Sequence, residues 1–101
     1  MRYIERKTVK NIKSSDTHIL LCKYSEFNSN KIPNNITHLK FEWDFNQTLD
    51  FLPESLKILN IKNNSKITKI NDLSSSIKQI IIRKDQLNVI NKIYHHKTFL
   101  L

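Results

Sequence analysis

His18 and His38 stand 20 residues apart in this 101-residue chain, each directly after a threonine, and Cys22 lies four places beyond the first. Imidazole and thiolate are ligands for a borderline metal such as zinc, so two stacked histidines with one cysteine would begin a metal site. The set matches no zinc spacing, however. Two copies of one repeat position give the same pattern without any ligand. Glu42 and Asp44 flank Trp43. Two carboxylates on one strand face can do acid–base work, but a turn-bonding role for Asp44 explains them more simply. Trp43 and Phe45 read as packing residues. His95 and His96 are adjacent, so their rings diverge in either helix or strand, and a polar tail accounts for them. Lys23 beside Cys22 would favour a thiolate, yet no base with its orienting partner accompanies it. Glycine is absent altogether. That removes every phosphate-cradling loop that needs a backbone without Cβ. No nucleophile elbow, HExxH, CxxC or P-loop occurs. The expectation is a non-enzyme with no catalytic residue, cofactor or metal.

A repeat positions these side chains. Ile32–Phe41 (IPNNITHLKF), Leu52–Ile61 (LPESLKILNI) and Leu73–Ile82 (LSSSIKQIII) share one template, and a worn copy starts at Ile12 (IKSSDTHILL). Their starts are 20, 20 and 21 residues apart. A period of that length marks a leucine-rich type solenoid. Each copy reads L-x-x-L-x-L: Ile36, Leu39, Phe41; Leu56, Leu59, Ile61; Ile77, Ile80, Ile82; and Asp16, Ile19, Leu21 in the worn one. The last two places are two apart, the spacing of a strand with one buried face. A polar residue (Asp44, Asn64, Asp85) follows three places later, where it can bond the backbone of a turn; Tyr24 stands there in the first copy. Pro33 and Pro53 suit a segment entering a strand. Apolar groups in Phe45–Leu49 and Ile67–Ile70 can close the far side of each coil.

The expected fold is a leucine-rich-repeat-like solenoid: a parallel β-sheet of about four strands, irregular returns, and short caps. It forms one domain, with a cap over 1–11 (Tyr3, Ile4, Val9), repeats over 12–31, 32–51, 52–72 and 73–90, and a cap over 91–101. Leu87, Ile90 and Ile93–Tyr94 have helix-like spacing, which suggests an amphipathic helix within 86–101 covering the last coil. Without it the strand near Ser76–Lys84 would present an open edge.

The net charge is +8, which offers nucleic acid as a partner. No run of five basic residues occurs and no aromatics interleave with them, so that reading ranks second. The single cysteine excludes an intrachain disulfide and fits a reducing compartment. The N-terminal segment lacks a signal-peptide apolar region. No apolar run is long enough for a membrane span, so a cytoplasmic location is expected. Asn35-Ile36-Thr37 and Asn46-Gln47-Thr48 match glycosylation sequons by chance on that view.

Ile32–Leu49 (IPNNITHLKFEWDFNQTL) resembles the FNIP repeat, a short leucine-rich repeat variant abundant in social amoebae and giant viruses of amoebae. The likeness lies in Ile32-Pro33, in Thr37-His38-Leu39-x-Phe41, and in Phe45-Asn46-Gln47. Copy three keeps the strand but has Ser65-Lys66 for Phe-Asn; copy one keeps Thr17-His18 and, two places late, Phe27-Asn28; copy four keeps the apolar skeleton. Glu42 stands where the family has glycine. The resemblance implies a protein-interaction role in an amoebal or viral setting, in host cytoplasm if viral. Related chains often carry an F-box, but about eleven residues before copy one are too few for one, so no ubiquitin-ligase link is expected.

The outward strand residues are the expected partner-binding set: His18, Leu20 and Cys22; His38, Lys40 and Glu42; Ile58, Asn60 and Lys62; Gln79, Ile81 and Arg83. Leu20, Ile58 and Ile81 put apolar groups among charged ones, which suits a protein partner. Four strands give a face of about 400 Å², against about 800 Å² per partner in a standard interface. A cap must therefore join in, the chain must self-associate through edge strands, or affinity must be modest. The remaining alternative is a shortened paralogue with no specific function.

Overall fold

Branched and apolar side chains at alternate places give each short segment one face that must be covered. The computed structural model describes residues 2–5, 11–22, 32–46, 52–67, 70, 73, 75–90 and 97–100. Those segments lie side by side in one parallel sheet. Its strands are β1 (Ile4–Glu5), β2 (His18–Leu21), β3 (His38–Phe41), β4 (Ile58–Asn60), β5 (Gln79–Ile82) and β6 (Thr98–Leu100), neighbours in space as in sequence. Ile19, Leu39, Leu59 and Ile80 occupy one row across the sheet. The chain is a leucine-rich-repeat-like solenoid.

The apolar template becomes the core. Ile19, Leu21, Leu39, Phe41, Leu59, Ile61, Ile80 and Ile82 are each at most 1% exposed, as are Ile36, Leu56 and Ile77. Burial of such a side chain contributes about 2 kcal/mol, and here each contribution depends on the coil above and below. Phe45 closes the far side of its coil by stacking on Phe41, ring centroids 4.7 Å apart. Ile70 does the same further along: its N–H donates to the Val89 carbonyl at 2.8 Å, and it bridges Ile90.

Two polar ladders hold the turns. Asn64 is 2% exposed. Its Nδ2 donates to the carbonyls of Glu42 (2.7 Å) and Phe45 (2.8 Å), and its Oδ1 accepts from the N–H groups of Lys66 (2.9 Å) and Ile67 (2.7 Å). In the next coil the role falls to Gln86, not to the expected Asp85. Gln86 Nε2 donates to the Ile61 (2.7 Å) and Asn64 (3.0 Å) carbonyls, and its Oε1 accepts from Arg83 N–H at 2.7 Å. Asp85 is exposed and pairs with Arg83 instead. The 3-10 helix at this turn shifts the buried place by one residue, and the longer Gln reaches back. Asp44 is half-buried at the corresponding place of its own coil.

The second ladder precedes the strands. Asn35 Nδ2 donates to the carbonyls of Lys13 (2.9 Å) and Asp16 (2.7 Å), Ser55 Oγ to Ile36 (2.6 Å), and Ser76 Oγ to Leu56 (3.0 Å). Asp16, which looked like decay, is 5% exposed and accepts from Lys13 N–H at 2.8 Å. It replaces an apolar plug with a turn-closing carboxylate. Glycine is dispensable after the strand as well: Glu42 keeps its N–H in the ladder, donating to the Leu21 carbonyl at 2.8 Å.

The four expected strands are present, and both ends extend the sheet. β1 builds the N-terminal edge, with Ile4 42% exposed; Val9 lies outside the described residues. At the C-terminus the described residues of the 86–101 span form no α-helix. A 3-10 helix spans Lys84–Val89, and the chain returns as β6, which covers the edge of β5. Apolar groups three apart at Leu87 and Ile90 fit a 3-10 turn as well as an α-helix, and an open parallel edge favours a strand. Residues 91–96, with Ile93, Tyr94, His95 and His96, lie outside the described residues, as do Tyr24, Phe27-Asn28 and Leu49.

The Asn64→Ala substitution strands two carbonyls and two amides at once, so unfolding should become easier by about 3 kcal/mol. Asp85→Ala should stay within about 0.5 kcal/mol of the parent. Urea denaturation followed by circular dichroism measures both.

Candidate functional site

Side chains of alternate strand residues point away from the core, onto an open face set out in rows. His18, His38, Ile58 and Gln79 form one row; Glu5, Leu20, Lys40, Asn60 and Ile81 form the next. Cys22, Glu42, Lys62 and Arg83 follow the strand ends. All of the second row but Glu5 and Asn60, and all of the first, are half-buried; Asn60 is buried, with Oδ1 accepting from Lys62 N–H at 3.2 Å. The expected face is thus assembled, but its parts differ in kind.

One end is aromatic. The imidazoles of His18 and His38 stack with centroids 3.8 Å apart and planes 10° from parallel. Each Nδ1 is hydrogen-bonded to the preceding threonine hydroxyl, at 2.9 Å for Thr17 and 2.8 Å for Thr37. Tyr3 meets His18 edge-on at 5.4 Å, and Lys40 Nζ lies 5.8 Å from the Tyr3 ring centre. Burial pushes the Tyr3 phenol up. Burial pushes both imidazoles down, and His38 is lowered further by the charge His18 would carry. Near-parallel rings aim their outward nitrogens side by side rather than at one point, which does not suit a shared ion. Among the described residues no group of three or more His, Cys, Asp or Glu could hold a metal.

The other end is apolar. Ile58 on β4 and Ile81 on β5 are diagonal neighbours, since Ile58 faces Gln79 and Asn60 faces Ile81. Leu20 does not join them; Lys40 and Asn60 stand between it and Ile81 in the row. The expected apolar centre is therefore a pair plus an outlier.

Two residues of the expected set do structural work. Arg83 donates from its guanidinium to the carbonyls of Lys62 and, at 3.2 Å, Asn64, and pairs with Asp85 at 3.1 Å. Its hydrogen bond holds the Asp85 carboxyl below the usual range. Cys22 is buried, and its thiol donates to Glu5 Oε1 at 3.2 Å. A carboxylate partner is the opposite of the electropositive surroundings a nucleophilic thiol needs; Lys23 lies outside the described residues.

Trp43 corrects another expectation. Phe45 is packed in the coil, as read, but Trp43 is 58% exposed on the rim beyond β3. Asn63 and Lys84, at the same place in later coils, are exposed too. The position faces water in every described copy, so its aromatic residue is a surface feature. Comparison of the neighbouring polar Asn63 and Lys84 with Trp43 was the signal available in sequence.

Residues 25–64 match the family model of the FNIP repeat. Over that stretch the chain is similar to the FNIP repeat. The match spans β3 and β4 and includes the stacked His38, Trp43 and the buried Asn64. Within the matched residues, pairing of β3 with β4 sets His38 beside Ile58 and Lys40 beside Asn60 on the open face. No curated protein and no solved structure matches the chain. No helix among the described residues is long and apolar enough to cross a membrane.

The stacked pair predicts a pH dependence with a definite sign. Both imidazoles bind protons less tightly folded than unfolded, so their contribution is fully present above the ordinary value of 6.5 and is lost as pH falls below it, through the lowered folded values. Tm should drop between about pH 7.5 and about pH 5. The double variant His18→Gln, His38→Gln should flatten that drop in scanning calorimetry.

Proposed function

We propose that this repeat chain is a non-enzymatic protein-interaction module acting in the cytoplasm. The observation that carries the reading is the placement of Ile58 and Ile81, half-buried and adjacent, on a face ringed by charged groups. Apolar side chains on an ordered strand face gain most when a partner covers them, and a mixed apolar and polar patch is what interfaces use. Trp43, 58% exposed, adds an aromatic anchor of the kind that dominates binding energies.

Nucleic acid is the second reading, favoured by the net charge of +8. It requires cations to do most of the work, and binding would then weaken steeply with salt. Arg83 is tied to backbone carbonyls and to Asp85, so Lys40 and Lys62 are the face cations that a phosphate chain would use.

Affinity capture from host lysate separates the readings. Substitution of Leu20, Ile58 and Ile81 by Ser should abolish partner recovery, with recovery from the parent persisting at 0.5 M salt. Recovery of nucleic acid that is lost in Lys40→Glu, Lys62→Glu, but retained in the serine variant, would reverse the ranking. Recovery unchanged in the serine variant would leave the face without a role.

A further inference from the structure

The size of the open face restricts what can occupy it. Six strands about 4.8 Å apart span about 24 Å, and their two to four residues each reach at most about 13 Å, a patch of no more than about 300 Å². A folded partner needs about 800 Å². An extended chain rising about 3.3 Å per residue crosses the patch in about seven residues. The face thus fits a peptide segment better than a domain.

Charge sets the chemistry of that segment. Lys57 and Lys78 stand next to each other at the entry to β4 and β5, both exposed, with Lys78 N–H donating to the Lys57 carbonyl at 2.7 Å. Lys62 lies beyond the exit of β4, and Lys40 stands in the row beside the apolar pair. Ile58 and Ile81 therefore sit between basic rims. The acidic groups nearby are Glu42, Glu54 in the turn before Lys57, Glu5, which accepts from Cys22, and Asp85, which is paired with Arg83. The balance is positive around an apolar floor.

We infer that the open face binds a short extended peptide segment in which acidic residues alternate with aliphatic ones, the aliphatic side chains resting on Ile58 and Ile81 and the carboxylates reaching Lys57, Lys78, Lys40 and Lys62. The inference rests on the protein-interaction reading and narrows it. Alternation is needed because successive side chains of an extended chain point to opposite sides, so one set meets the sheet while the other leans to its rims.

The probe is a fluorescein-labelled eight-residue peptide alternating Glu with Leu, read by anisotropy with the whole chain. Controls are the same peptide with Lys for Glu, with Ser for Leu, and a single-stranded eight-nucleotide thymidine oligomer. The Glu–Leu peptide should bind with Kd on the order of 10–100 µM, and each peptide control at least about tenfold more weakly. Lys57→Glu, Lys78→Glu should invert the preference toward the Lys–Leu peptide, a gain that misfolding cannot produce. Binding of the oligomer as tight as that of the Glu–Leu peptide overturns the inference, as does equal binding of the Ser-for-Leu peptide or no binding at all. If the peptide fails while lysate recovery still depends on Leu20, Ile58 and Ile81, only the narrowed partner class falls. If that recovery is also unaffected, the interaction reading falls with it.

Discussion

The apolar strand row of each described coil is covered by the rows of its neighbours. Leu39 lies between Ile19 and Leu59 in the row across the sheet, and Leu59 between Leu39 and Ile80. The hydrophobic term along the sheet is therefore realised between copies, with Phe45 on Phe41 adding a contact within one. This makes the pitch of about twenty residues a physical constraint. A coil that drifted in length would slide its apolar row off the next, and a slip of one residue along a strand would turn that row to water.

The polar ladders serve the same end. A turn buried under the next coil cannot leave carbonyls unpaired. Asn64 and Gln86 reach carbonyls about twenty residues earlier in the chain, and so do Asn35, Ser55 and Ser76. These amides and hydroxyls bond one coil to another, so they fix the spacing that the apolar rows require. With no glycine available, side chains supply the turn closure that a positive-φ residue would otherwise assist.

The periodic part of this fold was legible in sequence because periodicity is what a stack imposes. The rows at Ile36, Leu39, Phe41 and their copies came directly from spacing, as did the outward set on the strands. The ends were less legible. β1 and β6 pair through backbone groups that any residue carries, and Ile4–Glu5 has too few residues to show alternation. Asp85 and Gln86 were exchanged because a 3-10 turn shifts the buried place by one. Asp16 read as wear because a buried carboxylate bonded to backbone looks, in sequence, like a lost apolar residue. Trp43 read as core because bulk suggests burial, whereas its place in the coil faces water. At the site, stacking of His18 on His38 followed from the repeat, but the split between an aromatic end and an Ile58–Ile81 end depends on register across β2 to β5.

A face built this way is a by-product of stacking: whatever residues point outward are carried into rows at a fixed spacing. The most direct measurement of the stack is a set of interstrand backbone NOEs in solution. Contacts from Leu39 to both Ile19 and Leu59, and from Leu59 to Ile80, in the pattern of parallel neighbours, are the expected result. Antiparallel cross-peaks, or contacts confined to residues three or four apart in sequence, would contradict it.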